Sequence, residues 1–309
     1  MKLYIGKEAG FCWGVKRAVN LTEKALDNPG YKNVYTYGPL IHNPQVVEQL
    51  EKKGIKITTD PSNIKEGAVV IRAHGIPPQK LQKIQDIRGV TIVDGTCPHV
   101  SKSEKKVAEY ATMGYHIIIV GDPAHAEVVS LVGFADTGKS PNKNYSIISA
   151  VEELQNLKIS CEKIFLIAQS TYKAEIFYRV IDYFKNAGKY KVEYHDSICS
   201  EPLRTQDELK EMCKFVECVI IVGGRNSANT RRLEEIVLQL NKHLIQIETE
   251  QELKPEELSK FYSIALTAGA STPDWIIEKI INKIKNYFNK IEIEVFDGRN
   301  SKQTAEQIK

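Results

Sequence analysis

Apolar positions along the chain follow two rhythms in alternation. Short runs rich in Val and Ile, such as Val219-Ile220-Ile221-Val222, stop at a turn. The next stretch then spaces its apolar residues by three and four, as a helix with one buried face does. Strand-like runs fall at 34–37, 68–72, 91–94, 117–120, 164–168, 219–222 and 262–267. Helical patterns fall at 16–26, 44–53, 101–113, 174–186, 204–215, 230–240 and 273–288. Residues 291–295 alternate with a period of two and read as a late strand, and 301–309 form a polar tail. Strand and helix in regular succession predict an α/β protein with mainly parallel sheets.

The pattern also repeats on a longer scale. Three cysteines, Cys12, Cys97 and Cys199, each follow a strand-like run and a turn and each precede a helical pattern; they stand 85 and 102 residues apart. His125 lies 28 residues beyond Cys97, and Ser227 lies 28 beyond Cys199. Ser170 follows Cys97 by 73, and Ser271 follows Cys199 by 72. In a shorter first unit, His42 and His74 follow Cys12 by 30 and 62. Each unit therefore has a cysteine turn and two further strand-to-helix turns carrying His, Ser or Thr. Ligands of parallel α/β sheets gather beyond the carboxyl ends of the strands. The expected organisation is three similar α/β domains around a pseudo-threefold central site: 13–96, 97–196, and 197–290 joined by residues 1–12, followed by a C-terminal strand and tail at 291–309.

Composition narrows the class. A chain of 309 residues holds two or three domains with proper cores, and 42% hydrophobic with 26% charged residues is ordinary for a globular protein. A net charge of +3 is too small to argue for nucleic acid or an anionic membrane as partner. No apolar run approaches the roughly 20 residues of a membrane span, and the first residues lack an apolar segment of signal-peptide length. A cytoplasmic protein is expected. Six cysteines with no Cys-x-x-Cys pair leave out a disulfide framework and the common zinc and ferredoxin spacings.

Taken singly, each cysteine has an ordinary role as a small apolar residue. Cys161, Cys213 and Cys218, which no repeat relates, are read that way. Cys12, Cys97 and Cys199 differ because backbone N–H groups and the helix dipole favour a thiolate at a helix start. Three thiolates suit either a cubane iron–sulfur cluster with one open iron or a zinc ion with one open position. The first can reduce a substrate; the second can only polarise it.

His42, His74 and His125 each have a plain reading as capping or core residues, and Ser227, Asn229, Ser271 and Thr272 as N-caps. Their recurrence at helix starts also makes them a phosphate-binding set, so a phosphorylated small molecule is expected. Glu127, two residues after His125, is the carboxyl placed to deliver a proton, with Ser170 or Thr171 relaying or positioning it. Its plain alternative is a first-turn glutamate interacting with the helix dipole. Lys16 and Arg17 read as a solvated face, or else as charges that steer an anion.

Seven ordered segments together resemble one family. They are Ala9-Gly10-Phe11-Cys12-Trp13-Gly14-Val15-Lys16-Arg17-Ala18, Tyr37-Gly38-Pro39-Leu40-Ile41-His42-Asn43-Pro44, Arg72-Ala73-His74-Gly75, and Asp94-Gly95-Thr96-Cys97-Pro98-His99-Val100. Gly121-Asp122-Pro123-Ala124-His125-Ala126-Glu127-Val128, Asn226-Ser227-Ala228-Asn229-Thr230 and Thr267-Ala268-Gly269-Ala270-Ser271 complete them. The set is similar to the 4-hydroxy-3-methylbut-2-enyl diphosphate reductases of the LytB type, which carry out the last step of the non-mevalonate isoprenoid pathway.

The resemblance implies one [4Fe–4S] cluster per chain on Cys12, Cys97 and Cys199, with its fourth iron open to the substrate hydroxyl. It implies a pocket for the allylic diphosphate built from His42, His74, His125, Ser170, Thr171, Ser227, Ala228, Asn229 and Ser271. Glu127 would be the proton source, and ferredoxin or flavodoxin the electron donor. Three positions depart from the family pattern. Ala126 stands where proline is usual, Ser170 where threonine is frequent, and after Cys199 only Gln206 keeps its place.

Overall fold

The computed structural model describes residues 1–41, 43–136, 144–157, 159–225 and 227–298. In chain order its elements begin with β1 (Lys2–Gly6), α1 (Trp13–Leu26), β2 (Val34–Tyr37), α2 (Pro44–Lys52), β3 (Ile55–Thr58), β4 (Gly67–Ile71), α3 (Pro78–Gln85) and β5 (Val90–Asp94). There follow α4 (Pro98–Thr112), β6 (His116–Val120), α5 (Ala126–Ala135), β7 (Tyr145–Ile148), β8 (Lys163–Ala168), α6 (Ala174–Asn186) and β9 (Lys191–Tyr194). The last part contains α7 (Ser200–Met212), β10 (Cys218–Val222), α8 (Ala228–Gln239), β11 (His243–Ile247), β12 (Ser263–Ala268), α9 (Asp274–Tyr287) and β13 (Glu292–Phe296).

The strands form three sheets, ordered β3-β2-β4-β5, β7-β6-β8-β9 and β11-β10-β12-β1-β13, and each pairing is parallel. The α/β class with parallel sheets is as the rhythm of the sequence predicts. One strand order recurs: the second strand of a unit lies outside the first, and the third and fourth lie on the other side. In the third sheet β1, from the far end of the chain, takes the fourth place, and β13 adds an edge beyond it. Central strands such as β6 and β10 are buried along their whole length and read as unbroken apolar runs. Strand β13 alternates Glu with Ile and Val and carries charge on its exposed side, which suits an edge.

Three strands went unread in the sequence: β3, β7 and β11. Each is the outermost strand on one side of its sheet, where mixed residues such as Ile55-Lys56-Ile57-Thr58 suffice. Helices α3 and α5 were missed as well, α5 for the opposite reason. Its sequence, Ala126 to Ala135, is apolar nearly all round, so no polar stripe marks it as a helix.

The chain divides into two compact units. One comprises Met1–Val15, Ile41–Glu48 and Ser200–Lys309 and contains the third sheet; the other comprises Lys16–Leu40 and Gln49–Cys199 and contains the first two. Among the described residues no helix is long and apolar enough to cross a membrane.

Candidate active site

The three cysteines occupy one structural position three times. Each is the residue immediately before a helix: Cys12 before α1, Cys97 before α4 and Cys199 before α7. Each donates its backbone N–H to the carbonyl two residues past the third strand of its own sheet. The pairs are Cys97 to Ala73 O at 2.9 Å, Cys199 to Ser170 O at 2.8 Å and Cys12 to Ala270 O at 3.1 Å. That shared bond ties every cysteine turn to the neighbouring functional turn. All three thiols are half-buried, and a hollow of about 90 Å³ lined by Gly10, Phe11, Thr205 and Ala270 opens beside Cys12.

Of the other cysteines, two behave as small apolar residues. Cys213 and Cys218 are buried, and burial pushes the Cys218 thiol up to about 12. The Cys161 sulfur lies 3.5 Å from the Gly114 carbonyl.

Helix entry is built locally. Pro98 opens α4, where its missing N–H removes nothing, and Pro202 falls in the first turn of α7 for the same reason. The unusual sequence after Cys199 therefore still starts a helix at once, at Ser200. Arg17 is a correction to the solvated-face reading: its guanidinium donates to the Thr96 carbonyl at 3.1 Å and the Asp94 carbonyl at 3.0 Å, clamping the turn before Cys97. On the far side His99 Nε2 reaches the Ser197 carbonyl at 2.7 Å, linking the start of α4 to the loop before Cys199. Glu208 accepts from the backbone N–H groups of Lys7 and Glu8 at 3.0 and 3.1 Å and holds the loop between β1 and Cys12. Burial pushes its carboxyl up to about 7. His99 stands in the family-like segment around Cys97 with no role readable there, and nothing in the sequence marks Glu208, because their partners are backbone groups distant along the chain.

The recurring strand order creates a topological switch between the first and third strands of each sheet, the place where such sheets bind ligands. The glycine that opens each first-strand turn is anchored alike. Gly38 donates to Thr58 O at 2.8 Å, Gly121 to Ile148 O at 2.9 Å and Gly223 to Ile247 O at 3.0 Å. The expected substrate residues sit in these turns and in those after β4, β8 and β12. His42 lies outside the described residues.

Around the β6–β8 switch a carboxyl is buried against a hydroxyl. His125 caps α5, its Nδ1 accepting from Glu127 N–H at 3.2 Å, so the turn is held with Ala126 where proline is usual. Glu127 is only 1% exposed. Its Oε1 accepts from Ser170 N–H at 2.8 Å and its Oε2 from Ser170 Oγ at 2.7 Å. Burial pushes the Glu127 carboxyl up to about 7, against the pull of the two Ser170 bonds. The rings of His74 and His125 meet edge to face, 5.2 Å between centroids. Thr171, by contrast, is exposed, and its hydroxyl accepts from Gln169 Nε2 at 3.0 Å.

The third sheet carries a polar cradle. Ser227 caps α8 and accepts from Thr230 N–H, leaving Ala228 in the first turn, where backbone N–H groups lack helical partners. Asn229 is buried, and neither its amide nitrogen nor its oxygen has a partner; an unsatisfied buried amide is a place for a ligand. Ser271 is buried, and Thr272 Oγ1 donates to Val222 O at 2.9 Å. A Cβ on Gly223 or on Gly269 would stand 2.6 Å from Thr230 Oγ1, so both turns require glycine. Among the described residues no three His, Cys, Asp or Glu side chains close on a point as ligands of a single metal ion do; a cubane cluster takes one sulfur at each of three irons.

Comparison with known proteins places the chain in a family. The LytB protein family model matches residues 3–285. The 4-hydroxy-3-methylbut-2-enyl diphosphate reductase of Alkaliphilus oremlandii is 37% identical, over 93% of this chain and 100% of its own length. That of Aquifex aeolicus is also 37% identical, over 92% of this chain and 96% of its own. A solved (E)-4-hydroxy-3-methyl-but-2-enyl diphosphate reductase, described as the terminal enzyme of the non-mevalonate pathway, superposes with a TM-score of 0.72 at 36% identity, covering 92% of this chain and 99% of that one. The E-1-hydroxy-2-methyl-but-2-enyl-4-diphosphate reductase of Plasmodium falciparum superposes with a TM-score of 0.84 at 27% identity, covering 96% and 91%. The chain is a member of the LytB family, the family of the 4-hydroxy-3-methylbut-2-enyl diphosphate reductases.

Proposed function

We propose that the chain reduces 4-hydroxy-3-methylbut-2-enyl diphosphate to isopentenyl and dimethylallyl diphosphates in the cytoplasm, as the last step of the non-mevalonate pathway. The allylic C–O bond breaks, one proton leaves with the oxygen as water, and two electrons with a second proton make the new C–H bond. The observation that carries this reading is the buried Glu127–Ser170 pair in a member of this family. Hydroxide is a poor leaving group, so the departing oxygen needs an acid. A carboxyl raised to about 7 is protonated in about half of the molecules at neutral pH, where an ordinary glutamate is ionised. Ser170 fixes its direction through two bonds.

Cys12, Cys97 and Cys199 would hold a [4Fe–4S] cluster. Their fit rests on three half-buried thiols at three helix starts, where the dipole favours thiolate. When bound, the cluster supplies single electrons, drawn from ferredoxin or flavodoxin, and a Lewis-acidic iron. The diphosphate is taken by His42, His74, His125, the Ala228 backbone N–H, and the side chains of Ser227, Asn229 and Ser271, with Thr171 at its rim. Asn229 has hydrogen-bonding capacity to spare for it.

Oxygen-protected purification followed by metal analysis and a viologen-linked assay tests the reading. Brown protein with about four irons per chain that oxidises reduced viologen only when the allylic diphosphate is added is the expected result. A colourless, zinc-replete protein that consumes no reductant overturns it.

A further inference from the structure

A second buried carboxyl lies beside Glu127, and the reaction above leaves it unused. Glu104 is on α4, two turns beyond Cys97, and is 6% exposed. Its Oε1 accepts a 2.5 Å hydrogen bond from Ser130 Oγ. Ser130 is fully buried on α5, three residues after Glu127, the spacing that makes two side chains neighbours on one helix face. Helices α4 and α5 pack along each other. From another side the turn that carries His74 closes over the pair. Gly75 has φ +73°, and a Cβ there would run into Glu104 Oε1 and stand 3.0 Å from Ser130 Oγ. The charges that Glu104 feels, Asp94 at the end of β5 and Glu127 on α5, are both negative. Facing Glu127 are Ser170 from the turn after β8 and His125 from its own helix start, whose ring meets His74.

We propose that Glu104 is a positioning residue for the acid: its carboxyl, tethered by Ser130 one turn along α5, keeps the proton on Glu127 until the substrate oxygen takes it. Two carboxyls in one water-poor region resist ionising together, and their titrations belong to the pair. Burial raises both to about 7, so the pair divides a proton near neutral pH. The repulsion between the two is mutual, so an ionised Glu104 raises the proton affinity of Glu127 as an ionised Glu127 raises that of Glu104; once Glu127 has given up its proton, the charge on Glu104 favours reprotonation. This role rests on the reading of Glu127 as the acid of the reductase.

Glu104→Gln keeps the shape and an acceptor for Ser130 but cannot carry charge. Infrared difference titration of the full-length protein follows the carbonyl stretch of the protonated carboxyl, assigned by its loss in Glu127→Gln. In Glu104→Gln, Glu127 is expected to lose its proton about one pH unit lower. The alkaline limb of kcat should move down equally, with a loss of about tenfold in kcat above neutrality, little change in KM, and partial recovery in Glu104→Asp. Ser130→Ala leaves both carboxyls in place and weakens the ionised form of Glu104, so the Glu127 midpoint should fall there too. A Glu127 midpoint unmoved in both variants overturns the proposal even if the wild type reduces the allylic diphosphate. A midpoint that moves in a wild-type protein without reductase activity overturns the role in that reaction.

Discussion

Ser170 grips Glu127 twice, its N–H on one carboxylate oxygen at 2.8 Å and its hydroxyl on the other at 2.7 Å. The same residue gives its carbonyl to the Cys199 N–H. One residue thus joins the buried carboxyl to a cysteine turn.

Removing the acid while keeping its shape separates proton delivery from assembly. Glu127→Gln should lower kcat by about 10²–10⁴ while iron content stays at the wild-type level. Ser170→Ala deletes a bond that favours the ionised carboxyl, so the Glu127 pKa should rise above about 7 and the alkaline limb of kcat should move up. Ser170→Thr keeps the hydroxyl and should leave that limb in place. A pH–rate series on the three variants checks the order.

Stability should depend on pH in a definite direction. Glu104, Glu127 and Glu208 are each raised by burial from 4.5 to about 7. A carboxyl raised in the folded state holds its full share of stability below the unfolded pKa and loses it as pH climbs through the folded one. For Glu127 the gap between 4.5 and about 7 is worth on the order of 3 kcal/mol. The difference in unfolding free energy between wild type and Glu127→Gln, measured by denaturant titration, should therefore shrink as pH rises from about 4.5 to about 7.

Asn229 is buried with both amide atoms unpartnered, so its removal should weaken binding more than folding. Asn229→Ala is expected to raise KM for the allylic diphosphate about tenfold, roughly one charge-assisted hydrogen bond. The thermal midpoint should stay near that of the wild type. Competition by inorganic pyrophosphate should weaken in parallel.

Arg17 holds the Asp94 and Thr96 carbonyls with two arms of one planar guanidinium. Lysine has the charge without the fork. Arg17→Lys should free the turn before Cys97, and the purified protein should lose iron faster in air than the wild type does. Unchanged bleaching of the visible iron–sulfur absorbance would show that the clamp does not serve the cluster.

Much of the site could be read along the chain, and what could not has one cause. The cysteines and the switch-point hydroxyls stood out because each belongs to a short strand-to-helix turn whose residue types and spacing recur, while Glu127, with no counterpart in the other units, stood out by its place beside His125. Glu104 and Glu208 did not. On a helix their letters look like those of any solvated glutamate, and only the partners that arrive from elsewhere, Ser130 and Gly75 for one, Lys7 and Glu8 N–H for the other, bury them. Arg17 was misread for the same reason: its partners lie 77 and 79 residues away.

By itself the sequence determined the alternation of buried strand and half-buried helix, the parallel α/β class, and the threefold recurrence of a cysteine turn. Periodicity records local burial, and local burial is enough for these. The tertiary structure decided that β1 completes the sheet of β10, β11 and β12, so that Cys12 stands to Ala270 as Cys97 does to Ala73 and Cys199 to Ser170. Pairing of that kind depends on which segments meet, and hydrogen bonds between backbone groups carry no trace in side-chain identity.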